Sequence, residues 1–171
     1  MTNAIIATID FEASSLAMQG EPIEVGIALW ELGNRIKTWS SLIYPADDIL
    51  WSEESAEVHG ITREELLRAP YPARVAERLN ARTANSPFAF CDGADSDARW
   101  MWQLYSAANL KPVFRLMPIE IMPGLHIEAV RNSMWEFLET TKPPHRAGPD
   151  AVRLMHAYAH ALGEAPAVDE I

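Results

Sequence analysis

Residues 89–105 read Ala-Phe-Cys-Asp-Gly-Ala-Asp-Ser-Asp-Ala-Arg-Trp-Met-Trp-Gln-Leu-Tyr, and the predicted fold depends on this stretch. A short apolar strand ends at Cys91, and an amphipathic helix follows. Three acids, Asp92, Asp95 and Asp97, lie between them. Because open α/β sheets bind ligands at the carboxyl ends of their strands, these acids mark a candidate site. Acids at a helix start also cap the helix and favour its dipole, so the cluster alone does not establish a site.

A second pair of acids closes the first strand of the chain. Residues 4–10 are apolar and largely β-branched, which predicts a buried central strand that continues through Phe11 and Glu12. Side chains alternate along a strand, so Asp10 and Glu12 point to the same face. Two neighbouring buried carboxylates repel each other, and a bound Mg²⁺ or Mn²⁺ removes that cost. If the strand has already reached the surface here, both acids are simply solvated.

A third group of polar residues lies near the other end of the chain. Residues 142–148 form a stiff loop, and Pro149 suits the first turn of a helix. This pattern predicts that His145 lies on the loop and that Asp150 lies in the first helical turn.

The remaining pattern predicts an α/β fold with a mixed sheet. Strands at 22–32 and 35–44 flank a turn at Gly33-Asn34, so they should pair antiparallel. Two short strands follow, at 87–91 and 113–117. The order β-β-β-α-β-α-β-α-α predicts five strands, three antiparallel and then parallel, with helices on the faces of the sheet. The predicted helices are 52–58, 62–68, 72–84, 97–109, 126–140 and 149–162.

Composition limits the class of protein and its partners. The 171 residues suit a single domain over 1–171, with an acidic tail from about residue 164 whose last residues are frayed. The chain has 14 basic and 24 acidic residues, a net charge of -10 that is unfavourable for gripping long nucleic acid. The single cysteine suits a reducing cytoplasm. No apolar run approaches the length of a membrane span, so we expect no membrane contact.

The three motifs together resemble those of the DEDDh 3′–5′ exonucleases of the RNase H-like superfamily, over about residues 4–160. The first motif is Ile9-Asp10-Phe11-Glu12-Ala13-Ser14-Ser15-Leu16, where the family usually has Thr-Gly-Leu in place of the last three residues. The third motif, His145-Arg146-Ala147-Gly148-Pro149-Asp150-Ala151, is the closest match. The resemblance implies an RNase H-like fold with a mixed five-stranded sheet.

The second motif departs from the family pattern. Many members have His-Asn-x-x-Phe-Asp where this chain has Asp92 to Asp97. We assign the catalytic aspartate of the family to Asp97, because the residues after it continue as a helix. Asp92 is then a supporting acid at the strand end, and it is also the alternative ligand. Asp95 is the weakest candidate of the three.

The resemblance implies a two-metal-ion 3′–5′ exonuclease that releases nucleoside 5′-monophosphates from single-stranded or short DNA or RNA. Two Mg²⁺ or Mn²⁺ ions would be held by four acids: Asp10, Glu12, Asp97 and Asp150. His145 would be the general base. The implied substrate-binding residues are Ser15, Leu16 and Asp92, with Leu16 at the position that packs against terminal bases. The alternative reading is a catalytically attenuated module that binds nucleic acid or protein.

A row of three arginines, Arg74, Arg78 and Arg82, follows one face of the predicted helix 72–84. Such a row is typical of a solvated face. Several members of the family form homodimers in which a basic patch of one subunit serves the site of the other. A homodimer of that kind, using this row, is a further expectation.

Overall fold

The computed structural model describes residues 5–171, and its strands form one six-stranded sheet in the order β5-β4-β1-β2-β3-β6. Both β1–β2 and β2–β3 are antiparallel, whereas β4 pairs parallel with β1 and β5 pairs parallel with β4. The predicted α/β fold with a mixed sheet is confirmed. The strands are β1 (Ile6–Ala13), β2 (Pro22–Trp30), β3 (Ile36–Leu42), β4 (Phe88–Cys91), β5 (Arg115–Pro118) and β6 (Val168–Glu170).

The sixth strand corrects the prediction of five strands and a frayed end. Val168–Glu170 pairs parallel with β3, and the Ile36 N–H donates to the carbonyl of Ala167 at 2.9 Å. Arg35 also bonds Asp169 across the pair, with Nε and Oδ2 2.7 Å apart. An edge strand offers unpaired backbone groups, and a short segment can pair with them. Three residues are too few to show a strand period in the sequence.

Helices cover both faces of the sheet. One face packs on α3 and α4, and the other packs on α5 and α6. Thr62 and Glu65 form a complete capping box at the start of α2, as a Thr-x-x-Glu pattern predicts. The helices are α1 (Glu53–His59), α2 (Arg63–Leu66), α3 (Pro72–Thr83), α4 (Ala94–Ala108), α5 (Glu128–Thr140) and α6 (Ala147–Ala161).

The alternation along β1 decides which side chains face which layer. Ile9 and Phe11 lie in the core against α3 and α4. Thr8 points the other way, and its hydroxyl donates to the carbonyl of Ala151 in α6 at 2.6 Å. Asp10 and Glu12 therefore follow Thr8 on the face that α6 covers.

Two helices begin earlier than predicted. The sequence placed the start of α4 at residue 97, and the helix begins at Ala94. It placed the start of α6 at residue 149, and the helix begins at Ala147. Asp97 and Asp150 therefore both lie in a first helical turn, where a carboxylate is favoured by the helix dipole.

Within residues 5–171, no helix has both the length and the apolar character that crossing a membrane requires.

Candidate active site

Five carboxylates gather where β1 and β4 end and where α4 and α6 begin. They form two groups, and in each group the ligand oxygens lie within 4.8 Å of one another. Asp10 belongs to both groups and so lies at the centre of the cluster. The first group is Asp10, Glu12 and Asp150, and the second is Asp10, Asp92 and Asp97.

Both candidate acids of the second motif reach the cluster. Asp97 is buried in the first turn of α4, and Asp92 is exposed in the link between β4 and that helix. The sequence treated these two acids as alternatives, and the structure brings both to Asp10. Asp95 lies on the same helical turn as Asp97, is exposed, and belongs to neither group.

Asp150 is positioned by a network that anchors the start of α6. The buried carboxylate of Glu24 accepts hydrogen bonds from Nε and Nη2 of Arg146, at 3.0 and 2.8 Å, and from the N–H of Ala147 at 3.0 Å. Asp150 Oδ2 then accepts the N–H of Arg146 at 3.1 Å. Glu24 on β2 thus holds the backbone that in turn holds Asp150.

Close backbone approach completes this anchor. A Cβ atom placed on Gly26 of β2 would lie 2.1 Å from the carbonyl carbon of Ala147, far inside any real contact. One placed on Gly148 would lie 2.9 Å from Cβ of Ser40 on β3. Only glycines allow the first turn of α6 to lie directly on these two strands.

Glu24, Gly26 and Arg146 are functional supports that the sequence reasoning missed. Two signals were present in β2. A charged residue inside an otherwise apolar strand needs a buried partner, and a glycine inside a strand marks a close backbone approach. The partner itself, Arg146, lies 122 residues away in the chain, so no local pattern could identify it.

Burial of the acids, together with their mutual repulsion, raises their affinity for protons. Burial, followed by the negative charges of Asp97 and Glu12, raises the pKa of Asp10 well above its usual range. Burial, followed by the charge of Asp150, raises the pKa of Glu12 to about 8. Without a bound cation, Glu12 therefore holds its proton up to neutral pH, and Asp10 is also shifted toward its protonated form.

The remaining two buried groups behave in the same way. Burial raises the pKa of Asp97 to about 7. Burial also raises the pKa of Asp150, while hydrogen bonds from the backbone N–H groups of Arg146 and His145 oppose the rise. Cys91, at the end of β4, is buried, and its Sγ donates to the carbonyl of Met117 at 3.7 Å. Burial and the charge of Asp97 raise the pKa of this thiol, so it stays protonated.

The donor set fits hard divalent cations. All five side chains offer carboxylate oxygens, which Mg²⁺ and Mn²⁺ prefer as ligands. Among residues 5–171, Asp97 Oδ2 is buried and has no hydrogen-bond partner. A buried carboxylate oxygen left in this state is costly unless a cation or a proton reaches it.

His145 lies beside the cluster but outside both groups. It is exposed on the loop before α6 and has a positive φ of 56°. A positive charge on its ring would help to lower the pKa of Asp150, whose carboxylate also accepts a backbone hydrogen bond from His145.

A cleft of about 370 Å³ opens next to the acids. Glu12 lines it together with Ser15, which is buried, and Leu16, which is 77% exposed. The Ser15 hydroxyl accepts the N–H of Ala17 at 3.2 Å and so shapes the loop that carries Leu16. A larger cavity of about 570 Å³ lies between α4 and residues 43–47, which follow β3, and none of the five acids lines it. The cleft beside the acids is therefore the candidate for a substrate.

The arginine row on α3 is partly engaged within the chain. Arg82 lies over the ring of Trp39, with its guanidinium carbon 4.8 Å from the ring centroid, and it donates to the carbonyl of Ile171 at 3.0 Å. Arg74 lies 3.6 Å from Glu77. The homodimer that would use this row has no support in the described part of the chain, and it stays a prediction.

Solved structures that share this fold include exonucleases and nucleases. The nuclease domain of 3'hExo, a DEDDh family member bound to rAMP, aligns with a TM-score of 0.71 and 19% identity over 94% of this chain and 92% of that chain. Cell-death related nuclease 4 aligns with a TM-score of 0.69 and 14% identity over 95% of this chain and 64% of that chain. The zinc-bound complex of E. coli ExoI with single-stranded DNA aligns with a TM-score of 0.70 and 13% identity over 91% of this chain and 40% of that chain.

These similarities show that the chain has the RNase H-like fold of the DEDDh exonucleases, as its motifs predicted. No family model matches the chain, and no curated protein matches its sequence.

Proposed function

We propose that this protein is a metal-dependent 3′–5′ exonuclease that removes nucleoside 5′-monophosphates from single-stranded or short DNA or RNA. The observation that carries this proposal is the pair of carboxylate groups that share Asp10. The fold supports it, since the aligned structures are those of exonucleases and nucleases.

The acids would hold two divalent cations, one in each group. Mg²⁺ and Mn²⁺ suit the all-oxygen donors, and one aligned structure has a bound zinc ion. Such cations neutralise the acids and stabilise the charge that develops on the attacking and leaving oxygens of a phosphodiester.

His145 would act as the general base. Its imidazole takes a proton from a water molecule that attacks the terminal phosphorus. The bond from phosphorus to the 3′ oxygen of the preceding nucleotide then breaks, and its electron pair stays on that oxygen. A position on an exposed loop lets the ring reach the water once substrate is bound.

The cleft that Ser15 and Leu16 line would receive the terminal nucleotide. Leu16 offers a large exposed apolar side chain to a base, and Glu12 connects the cleft with the acids. A net charge of -10 favours short substrates over long duplexes, because few phosphates can be bound away from the site.

Degradation of 5′-labelled single-stranded DNA and RNA oligomers tests the proposal. We expect a ladder of one-nucleotide steps with Mg²⁺ or Mn²⁺ and none with chelator. His145→Ala should lower the rate by about 10²- to 10⁴-fold, as loss of a general base does. His126→Ala is a matched control that should leave the rate unchanged, because His126 is exposed and belongs to neither carboxylate group.

Two other outcomes would decide against this mechanism. A ladder of equal rate from the His145→Ala protein would remove this residue as the base. No ladder from folded, metal-loaded protein would favour the attenuated binding module that the altered second motif suggests.

A further inference from the structure

Asp92 distinguishes the second carboxylate group from a simple pair. Without it, Asp10 and Asp97 would face each other as two acids. With it, three side chains from β1, the end of β4 and the first turn of α4 converge within 4.8 Å. Many members of the family have a histidine where the resemblance aligns Asp92, so the third acid is a departure of this chain from that pattern.

An independent observation indicates a ligand at this group. Asp97 is 2% exposed, and its Oδ2 has no hydrogen-bond partner among residues 5–171. Over the same residues, the ion pairs are Arg35 with Asp169, Arg74 with Glu77 and Arg146 with Glu24, so the protein supplies no cation to this group. A buried carboxylate oxygen without a hydrogen-bond partner is costly unless a cation or a proton reaches it, and above about pH 7, where Asp97 loses its proton, a cation fills that role.

The backbone between the two acids leaves room for them to face Asp10 together. Gly93 lies between the two acids, and its carbonyl accepts the N–H of Asp97 at 2.8 Å. A Cβ atom on Gly93 would come within 3.1 Å of Asp97 Oδ2, so a glycine leaves room for that carboxylate. Asp92 is exposed and gives a hydrated cation a route from solvent.

We propose that Asp92 completes a preformed second cation site with Asp10 and Asp97, which takes up Mg²⁺ or Mn²⁺ before nucleic acid binds. This inference rests on the proposed function, because both cations serve the same hydrolysis. Mg²⁺ sites with one or two carboxylates usually take further ligands from substrate phosphates, and a third carboxylate adds both a ligand and a negative charge that reduce this need. With all three carboxylates ionised and one divalent cation bound, the second site retains one negative charge.

Titration of the protein with Mn²⁺ in the absence of any oligonucleotide tests this site. Calorimetry, with free Mn²⁺ followed by electron paramagnetic resonance, should give two ions per wild-type chain. Asp92→Asn keeps the shape of the side chain and should weaken the second ion by at least about tenfold. Asp95→Asn removes the same charge on the same segment and should retain both ions, because Asp95 lies outside the group.

The outcomes distinguish a failure of the preformed cation site from a failure of the proposed exonuclease activity. A wild-type chain that binds a single ion without oligonucleotide overturns the preformed site, and this measurement requires no variant. Two tight ions in the Asp92→Asn protein also overturn it, and a ladder of nucleotides from the same protein would leave the exonuclease standing. Two ions in the wild type with no degradation of any oligomer would retain the site and remove the proposed function.

Discussion

At the scale of residues, Glu12 and Asp97 make the stability of the protein depend on pH, because they keep protons that a free side chain would have lost. Their pKa values rise from 4.5 and 3.8 to about 8 and about 7, mainly through burial. These two groups therefore bind more protons in the folded chain than in the unfolded chain between about pH 4 and pH 8. The stability that they contribute is fully present below this window and is lost as the pH rises through it.

We predict that the metal-free protein melts at a lower temperature at pH 8.5 than at pH 5. Each unit of pKa difference is worth at most about 1.4 kcal/mol, and about 1 kcal/mol moves the Tm of a domain of this size by roughly 2–4 °C. We therefore expect a loss of roughly 5 °C or more in thermal unfolding with chelator. Added Mn²⁺ should raise the Tm more at pH 8.5 than at pH 5.

Asp10→Asn is the control for this pH dependence. It removes the acid that both groups share, so the pH dependence should become shallower and the effect of Mn²⁺ smaller. A chelated wild-type protein whose Tm rises from pH 5 to pH 8.5 would contradict the idea that ionisation of these buried, crowded acids destabilises the metal-free protein.

The sequence predicted some of this arrangement and left some of it open. The shared face of Asp10 and Glu12 follows from the period of a strand, which is a local rule. The choice between Asp92 and Asp97 depended on where the helix begins, and a helix start is set by caps and packing that a pattern locates only within a few residues. Because α4 begins at Ala94, both acids reach Asp10, an outcome that the local pattern did not contain.

At the scale of elements, α6 is placed by one buried side chain of β2. Glu24 holds Arg146 and the N–H of Ala147, and it thereby sets the position of Asp150. Helix starts leave backbone N–H groups without intrahelical partners, and here a distant strand supplies the acceptor.

We predict that Glu24→Gln destabilises the protein by about 1–3 kcal/mol, the range for losing hydrogen bonds to a charged group. An amide can still accept the N–H of Ala147, but it cannot form the charged two-bond pair with Arg146. Urea unfolding should measure the loss, and calorimetry should show weaker Mn²⁺ binding because Asp150 is less well held.

Glu53→Gln is the matched control, since Glu53 is exposed at the start of α1 and lies away from this network. It should change the free energy of unfolding by less than about 0.5 kcal/mol. Wild-type Mn²⁺ affinity in the Glu24→Gln protein would show that Asp150 is positioned by other contacts.

Elements differ in how far local rules predict them. The antiparallel pair β2–β3 follows from its turn, where Gly33 has a φ of 81°. Strand β6 depends on the free edge of β3 and on an ion pair between Arg35 and Asp169, which lie 134 residues apart. Long-range pairing of this kind leaves no mark on the three residues that form the strand.

At the scale of the whole molecule, charge limits what the site can hold. The chain carries a net charge of -10, and part of its arginine row is engaged with Trp39, Ile171 and Glu77. Affinity for a nucleic acid should therefore come from the cleft and the cations rather than from the surrounding surface.

We predict that oligomers of about 4 nucleotides bind within about threefold as tightly as 30-nucleotide oligomers with the same 3′ end. Fewer than about three phosphates should be neutralised by side chains, so the slope of log affinity against log salt should be shallower than about -2. Fluorescence anisotropy with the His145→Ala protein, at fixed Mg²⁺ and increasing KCl, measures both quantities without degradation.

An Arg78→Ala protein serves as the control, because it tests whether the exposed face of α3 contributes to binding. Unchanged affinity and slope would agree with the prediction. A 30-nucleotide oligomer that binds tenfold more tightly than the short one, with a steep slope that Arg78→Ala reduces, would contradict it and return the arginine row to consideration.

The buried thiol of Cys91 can report how often the structure near the acidic cluster opens to solvent. It is the only thiol in the chain, it is buried at the end of β4, and its environment keeps it protonated. A chromogenic aromatic disulfide reacts only with an exposed thiolate. The rate of its reaction with Cys91 therefore depends on how often the end of β4 opens to solvent. This reaction rate therefore measures local opening near the acids in the wild-type protein, without any substitution.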